Sequence, residues 1–334
     1  MVRVLAVLVA LAACGRSQPH DDRVALRIDP GEARAVLAMI ESPSDAVFTR
    51  ILATDGYRRL AIREHSMGRT FEDADMRAFV GSSDVAARRA ALADAVARWS
   101  STDVSAIATR VLPYLPVEAR LAATIYPVIK PRSNSFVNFD AEGPAIFISV
   151  DPAQTTAQFV NVVAHELHHI GFASIKPAPC TARPSVCTAR TWSGGFSEGF
   201  AMLAAAGGPD VHPHRDSPPA DRERWDRDVR NFDADLRTVQ AFLRDVLDGK
   251  LDESAARERA MTFYGVQGPW YTLGWTMAVA VERCFGRPRL IAAMRAPWTI
   301  LELYNTARAS CPARVPGYAT ATWDATTIAA FAAD

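Results

Sequence analysis

The segment that most constrains this 334-residue chain runs from Phe159 to Phe172 and reads FVNVVAHELHHIGF. Apart from Asn161 and the polar residues at its centre it is apolar, and a helix that is apolar on nearly every side is normally buried. Burying histidines and a carboxylate without partners is costly. The polar residues therefore need either hydrogen bonds within the core or a metal ion.

The order of these polar residues, His165-Glu166-Leu167-His168-His169, favours the metal. His165 and His169 are four positions apart, so about one helical turn places both imidazoles on one face. Two such imidazoles can bind zinc, and the adjacent Glu166 can take a proton from a metal-bound water. This H-E-x-x-H pattern predicts a Zn²⁺ hydrolase with Glu166 as its catalytic base. A core helix whose histidines are only hydrogen-bonded is the alternative.

A catalytic zinc site needs a third protein ligand and one open position. Glu198 is the candidate, because it is the one acid in the otherwise apolar segment FSEGFAMLAAA. Ser193 or Ser197 could cap a helix here, and Gly207-Gly208-Pro209 would end it. The alternative is an acid that is simply favourable near a helix N-terminus.

These residues resemble the gluzincin metallopeptidases, in which two histidines on one helix and a glutamate on a later helix bind zinc. Ser197-Glu198-Gly199-Phe200-Ala201 is similar to the Asn-Glu-Gly-Phe-Ala run of the aminopeptidase branch. The resemblance implies His165, His169 and Glu198 as ligands. Three features depart from it: 29 positions separate His169 from Glu198, no Gly-x-Met-Glu-Asn motif lies upstream, and Met202 stands where the thermolysin branch has Asp.

A broader resemblance is to uncharacterised bacterial zinc-dependent peptidases. It extends to the run from Ile28 to Leu37 and to Tyr271-Thr272-Leu273-Gly274-Trp275. The resemblance and the need for an oxyanion donor make Tyr271 the predicted donor, with Tyr264 second. The alternative for Tyr271 is a packed aromatic ring with its hydroxyl at the surface.

Four other polar residues are further candidates for a role at the site. His212 and His214 could donate to the oxyanion or bind metal, although their proline-rich setting is more typical of a solvated loop. His168 should face away from the ligand pair and serve packing or support. Asn161 lies one turn before His165 and could orient it.

The start of the chain predicts export. Residues 1–13, MVRVLAVLVALAA, have the layout of a signal peptide and are too short for a permanent membrane helix. Leu11-Ala12-Ala13-Cys14 looks like a bacterial lipobox, so we expect a lipidated Cys14 followed by a polar tether over residues 14–23. Gly15 after the cysteine favours, by analogy, the outer membrane. An ordinary cleaved signal with a coincidental cysteine is the alternative.

Four cysteines remain after Cys14, and an even number in an exported protein suggests two disulfides. Cys180 with Cys187 is the favoured pair because only a short loop separates them, which leaves Cys284 with Cys311. Sequence alone permits three pairings. A zinc site made from these cysteines is disfavoured, since no C-x-x-C spacing occurs.

The rest of the chain predicts a mostly helical α+β fold with a zincin-like core. The segment 24–116 shows helical periodicity. Strand-like runs follow at 121–129, 136–139 and 145–150, forming a small mixed sheet directly before the metal helix, and 145–150 is expected near its edge, where an extended peptide could pair. Residues 117–334 would form the metallopeptidase region. Its later part is predicted to contain a long amphipathic helix from Asp221 to Asp248 and another from Gly268 to Cys284.

The predicted function is zinc-dependent hydrolysis of peptide bonds by a lipid-anchored envelope protein. Lysine plus arginine and aspartate plus glutamate are equal at 37 each, so nucleic acid is not an expected partner. Two alternatives stay open: a non-catalytic envelope lipoprotein with a structural zinc, and a zinc hydrolase acting on other substrates. Substrate identity, endo- versus exopeptidase action and oligomeric state are not determined by the sequence.

Overall fold

The computed structural model describes residues 21–176 and 178–332. The predicted signal peptide, Cys14 and all but the last residues of the predicted tether lie outside the described residues. None of the helices in the described ranges is long and apolar enough to cross a membrane.

A four-stranded mixed sheet lies at the centre of the N-terminal half. Its strands lie in the order β1 (Val24–Ile28), β2 (Leu121–Val128), β4 (Gly143–Ser149) and β3 (Phe136–Asp140). β2 pairs in parallel with both β1 and β4, while β3 is antiparallel to β4. The mostly helical α+β class is therefore confirmed, and so are the three predicted strands.

Two sequence expectations about this sheet were wrong. Val24–Ile28, expected to be helical, is a strand whose residues alternate between partly buried and exposed and pair with β2 from Leu121 onward. The segment 145–150 is not at the edge, because β4 lies between β2 and β3. Its continuous apolar run suits such a fully buried strand. The edge on that side is β3, where Phe139 is exposed.

Seven helices connect β1 to β2, and some of them pack against the sheet or against the helix that carries the histidine motif. One of them, α3 (Asp55–Ser66), covers a row of three aromatic rings, Tyr126, Phe147 and Phe136, in which neighbouring rings stack at 5.2 Å. Arg63 lies 3.8 Å over the Phe136 ring, a cation–π contact. The helices are α1 Gly31–Glu41, α2 Asp45–Leu52, α3 Asp55–Ser66, α4 Asp73–Val80, α5 Ser83–Ala87, α6 Arg89–Ser100 and α7 Val104–Val111.

A buried carboxyl ties α1 to the end of β2. Glu32 is 1% exposed, and its Oε2 accepts a hydrogen bond from the backbone nitrogen of Ile129 at 2.9 Å. Burial raises the pKa of Glu32 to about 8, against the opposing influence of that hydrogen bond and of Lys130. Glu32 is thus mostly protonated at neutral pH, and it serves the fold of the N-terminal half.

The C-terminal half forms a second helical core around α12 (Phe232–Leu247), α14 (Pro269–Phe285) and α16 (Ile300–Ser310). The helices that follow β4 in the chain are α8 Thr156–Ala173, which packs into the N-terminal core, α9 Pro184–Ser193, α10 Ser197–Ala206, α11 Pro219–Asp228, α12 Phe232–Leu247, α13 Glu253–Met261, α14 Pro269–Phe285, α15 Arg287–Met294, α16 Ile300–Ser310 and α17 Ala325–Ala332. α14 confirms the helix predicted from Gly268 to Cys284.

The long helix predicted from Asp221 to Asp248 is instead two helices, α11 and α12. A 3₁₀ turn over Val229–Asn231 separates them, where the tighter i→i+3 bonding breaks the α-helical repeat. Trp225 before the turn and Phe232 after it are both buried, so the apolar stripe still packs into the core.

Two disulfides brace this half of the chain. Cys180 is bonded to Cys187 and Cys284 to Cys311, which confirms the favoured pairing. The second bridge links the end of α14 to the residue after α16.

Candidate zinc site

The histidine motif lies on α8, as predicted. Thr155 begins this helix with a capping box, in which its hydroxyl accepts from the Gln158 nitrogen and the Gln158 side chain accepts from the Thr155 nitrogen. His165 and His169 are partly exposed, whereas Leu167 between them is fully buried. The apolar residues of the helix therefore pack into the core, and the two imidazoles lie on its partly exposed side.

Glu198 comes from the first turn of α10. A 3₁₀ turn over Gly194–Phe196 leads into this helix, so the expected caps are absent and Ser193 instead donates to the Arg190 carbonyl. The predicted end is confirmed at Gly207, which has φ 88°. Glu198 is partly buried, with its side chain directed at the α8 histidines.

The three side chains converge on one point. His165 Nε2 and His169 Nε2 are 3.2 Å apart, and Glu198 Oε2 lies 3.1 Å from the first and 3.4 Å from the second. Zinc bonds of about 2.0–2.1 Å in a tetrahedron require ligand atoms roughly 3.3 Å apart. The triangle therefore fits a zinc ion, and the nitrogen and carboxylate donors are ones that zinc accepts.

The charges of the site favour an ionised third ligand. Burial alone would raise the pKa of Glu198, but His169 and His165 outweigh it and hold this pKa well below its usual range. Burial lowers the pKa of His169, and the contact with Glu198 more than reverses that effect. Glu198 is thus a carboxylate, the form that binds metal.

Glu166 lies beside this triangle and is electrostatically different from Glu198. Burial raises the pKa of Glu166. The nearby imidazoles of His165 and His169 offset part of that increase, whereas the negative charge of Glu198 adds to it. A carboxyl with a raised pKa is suited to accept and return a proton near neutral pH.

Tyr271 and Tyr264 both approach the site. The Tyr271 ring, on the first turn of α14, lies 6.2 Å from the His165 ring with the two planes 16° apart. Burial and then Glu198, including a hydrogen-bonding interaction with it, raise the pKa of Tyr271 far above its normal value. Burial and Glu198 also raise the pKa of Tyr264. Both hydroxyls remain protonated donors at neutral pH.

The two helices that carry Glu198 and Tyr271 cross closely. This crossing was not predicted from the sequence. A β-carbon on Gly199 would lie 2.0 Å from the Trp275 nitrogen and 2.5 Å from the Tyr271 carbonyl oxygen. One on Gly274 would lie 2.4 Å from the Phe196 oxygen. The sequence signal for this crossing is the presence of Gly199 and Gly274 inside apolar helices, since such glycines often mark a close approach of two backbones.

His212 and His214 are not part of the triangle. His212 Nε2 lies 3.2 Å from Asp226 Oδ1, and His214 Nδ1 lies 3.0 Å from Ser217 Oγ. The expectation of a solvated loop was wrong for His214, which is only 7% exposed because it packs against the Trp225 ring.

Asn161 and His168 have supporting positions. Asn161 Nδ2 reaches the Pro213 carbonyl at 3.5 Å, so the structure gives it a partner other than His165. His168 is buried with its ring 5.0 Å from Phe172, the packing position expected for it.

The fold and site together define a class. It is a helix-rich protein with a small mixed sheet before an H-E-x-x-H helix, and a glutamate from a second helix completes a zinc-compatible triangle. More specifically, residues 50–310 match one family model, and the chain belongs to the family described as "Putative zinc dependent peptidase (DUF5700)". No curated protein and no solved structure matches the chain.

Proposed function

We propose that this protein hydrolyses peptide bonds with zinc held by His165, His169 and Glu198. The observation that carries the proposal is the triangle of donor atoms, whose edges of 3.1–3.4 Å suit tetrahedral zinc. The family description, zinc dependent peptidase, supports both the metal and the reaction. The gluzincin type is proposed from the ligand order, two histidines on one helix and a glutamate on a later one.

A bound zinc ion would act as a Lewis acid, which would polarise a substrate carbonyl and lower the pKa of a bound water toward neutrality. Glu166 then accepts the proton of the attacking water and returns it to the leaving amine. Tyr271 donates a hydrogen bond from its hydroxyl to the oxyanion that forms at the carbonyl. The Tyr271 ring lies 6.2 Å from the His165 ring, and this proximity supports the proposed role.

The substitution Glu166→Gln tests this mechanism. It removes the proton acceptor but keeps the size of the side chain and leaves all three proposed ligands in place. We expect zinc content equal to wild type with cleavage of a mixed peptide library abolished. Full activity in the Gln variant would overturn the assigned role of Glu166.

The competing hypothesis is a non-catalytic protein in which zinc has a structural role and links α8 to α10. Two measurements separate the hypotheses: cleavage of the same peptide library with and without chelator, and thermal unfolding of the protein under the same two conditions. A protein whose melting temperature falls on chelation, but which never cleaves any peptide, is the outcome that supports the structural reading.

We also propose that the protein is exported and anchored by a lipid on Cys14, in the cell envelope and at the outer membrane. The signal-like residues 1–13 support this, and two disulfides are typical of an oxidising compartment. Metabolic labelling with palmitate should mark the wild type and not the Cys14→Ser variant. Equal labelling of both would exclude this anchor.

A further inference from the structure

The zinc triangle is divided between the two hydrophobic cores of the protein. α8, which carries the two histidines, packs its apolar residues into the N-terminal core. α10 and α14, which carry Glu198 and Tyr271, pack mainly into the second core, and the close crossing at Gly199 and Gly274 holds them together. α8 touches α10 directly beside the triangle. The angle between α8 and this pair of helices is fixed only if a second contact joins them elsewhere.

Residues 110–115, which end α7 and lead toward β2, supply that second contact; we call them the α7–β2 junction. The junction contains the 3₁₀ turn Leu112–Tyr114. Pro113 and Pro116 have fixed φ angles, and Pro116 also restricts Leu115 to the extended conformation in which it lies, with φ −116° and ψ 150°. The junction is therefore stiff, and a displacement at one of its contacts is passed to the others.

The junction contacts α8, α10 and α14, the three helices of the site, in their last turns. Arg110 Nη1 donates to the Ala205 carbonyl of α10 at 3.2 Å. Leu115 packs onto Gly171 of α8 so closely that a β-carbon there would lie 2.3 Å from the Leu115 Cδ1 atom. The third contact, to α14, is made by Tyr114. One short segment thus joins all three helices.

Tyr114 is the central residue of the junction, because its ring enters the second core and is 1% exposed there. Its hydroxyl donates to the Glu282 carboxylate of α14, whose two oxygens lie at 3.1 and 3.0 Å. Arg287 Nη2 donates to the same hydroxyl at 3.1 Å, and Arg287 Nε donates to Glu282 Oε1 at 2.8 Å. The guanidinium also lies 4.2 Å over the Tyr114 ring. Each of the three groups therefore binds both of the others, which holds α14 firmly at this end.

Glu282 and Tyr271 lie on the same side of α14. They are 11 residues apart, so their side chains are about 20° apart around the helix and about 16 Å apart along it. At the Tyr271 end, the ring lies 6.2 Å from the ring of His165 on α8. α14 therefore faces the N-terminal half at two points, one at the zinc site and one at Tyr114. Loosening the contact at Tyr114 allows α14 to turn about the other point.

We propose that Tyr114 is a positioning residue for the zinc site, which holds α14, and with it α10, at the angle to α8 at which the triangle closes. This inference rests on the proposed function only in assigning zinc to the triangle. Without the Tyr114 hydroxyl, the Glu282 carboxylate loses a partner although it is only 8% exposed, and α14 must shift to let water replace it. Because α10 crosses α14 closely, Glu198 moves with that shift while the two histidines stay on α8.

The substitution Tyr114→Phe tests the proposal, because it removes the hydroxyl and keeps the ring in the core. We expect zinc affinity to fall about 2- to 30-fold, the size of couplings carried through packed elements. Arg287→Met, which removes another partner of the same carboxylate, should reproduce the fall. The matched control is Tyr57→Phe, since Tyr57 is 3% exposed in the N-terminal core and its hydroxyl donates to Asp73 Oδ1 at 2.6 Å. The control should lower the free energy of unfolding to a similar degree and leave zinc affinity unchanged.

A measurement that needs no metal separates this inference from the proposed function. In the metal-free protein, nuclear Overhauser contacts between the rings of His165 and Tyr271 report the angle between α8 and α14. These contacts should weaken in Tyr114→Phe and persist in Tyr57→Phe. If wild type binds no zinc or cleaves no peptide but the ring contacts weaken in this way, the proposed function fails and the positioning role stands. Unchanged ring contacts in Tyr114→Phe, or an equal loss of zinc affinity in Tyr57→Phe, would overturn the positioning role.

Discussion

Gly199→Ala should weaken zinc binding although residue 199 touches no metal. The added β-carbon would lie 2.0 Å from the Trp275 nitrogen and 2.4 Å from the Gly274 carbonyl carbon. Both are backbone atoms in a helix, so no side chain can rotate away. An ordinary contact of about 3.5 Å therefore requires α10 and α14 to separate by roughly 1–1.5 Å.

That displacement has two consequences of calculable size. Overpacking of this kind costs about 1–3 kcal/mol of unfolding free energy. It also moves the neighbouring Glu198 relative to His165 and His169, although metal–ligand distances tolerate only about ±0.2 Å. We therefore expect zinc affinity to fall about 10- to 100-fold, the range seen when the supports of a ligand are disturbed.

Calorimetric zinc titration and urea unfolding of the metal-free protein measure the two effects separately. Gly194→Ala is the matched control, since a β-carbon there meets nothing within 4 Å and its φ is −56°. It should bind zinc as wild type does. Wild-type zinc affinity in Gly199→Ala would refute the claim that this helix crossing positions Glu198.

Three further predictions concern stability. In the folded protein the pKa of Glu32 is raised from 4.5 to about 8, so the contribution of Glu32 to the free energy of unfolding is fully present below pH 4.5 and is lost as the pH rises toward 8. Over that range the free energy of unfolding should fall by about 1.4 kcal/mol per pH unit. Urea unfolding at several pH values should show this dependence in wild type and not in Glu32→Gln. Removing the Cys284–Cys311 bridge, with a separation of 27 residues, should cost about 1 kcal/mol more unfolding free energy than removing Cys180–Cys187, with a separation of 7; equal losses would contradict this chain-entropy estimate. Zinc at a hundred times its Kd should raise the free energy of unfolding by about 2.7 kcal/mol, and a melting temperature unchanged by chelator would show that no such site forms.

The parts of the structure that could be predicted from sequence are those encoded by local patterns. The i, i+4 spacing of His165 and His169 specifies a shared helix face whatever the rest of the chain does. Glu198 stood out because an acid in an apolar segment needs a partner. The short Cys180–Cys187 loop likewise made its disulfide a local feature.

The parts that could not be predicted depend on distant segments. Val24–Ile28 is too short for its alternation to be decisive, and it becomes a strand through pairing with β2, almost a hundred residues later. The interior place of β4 follows from strand order, which no local pattern specifies. The Gly199–Gly274 crossing joins helices about 75 positions apart. The burial of His214 depends on packing against Trp225, eleven positions later.

Zinc K-edge X-ray absorption of the zinc-loaded protein tests the central claim most directly. We predict one zinc per chain, with first-sphere scattering by nitrogen and oxygen at about 2.0–2.2 Å, including two imidazoles. In Glu198→Ala one light-atom ligand should be lost. A sulfur shell at about 2.3 Å, or a Glu198→Ala spectrum identical to wild type, would contradict it.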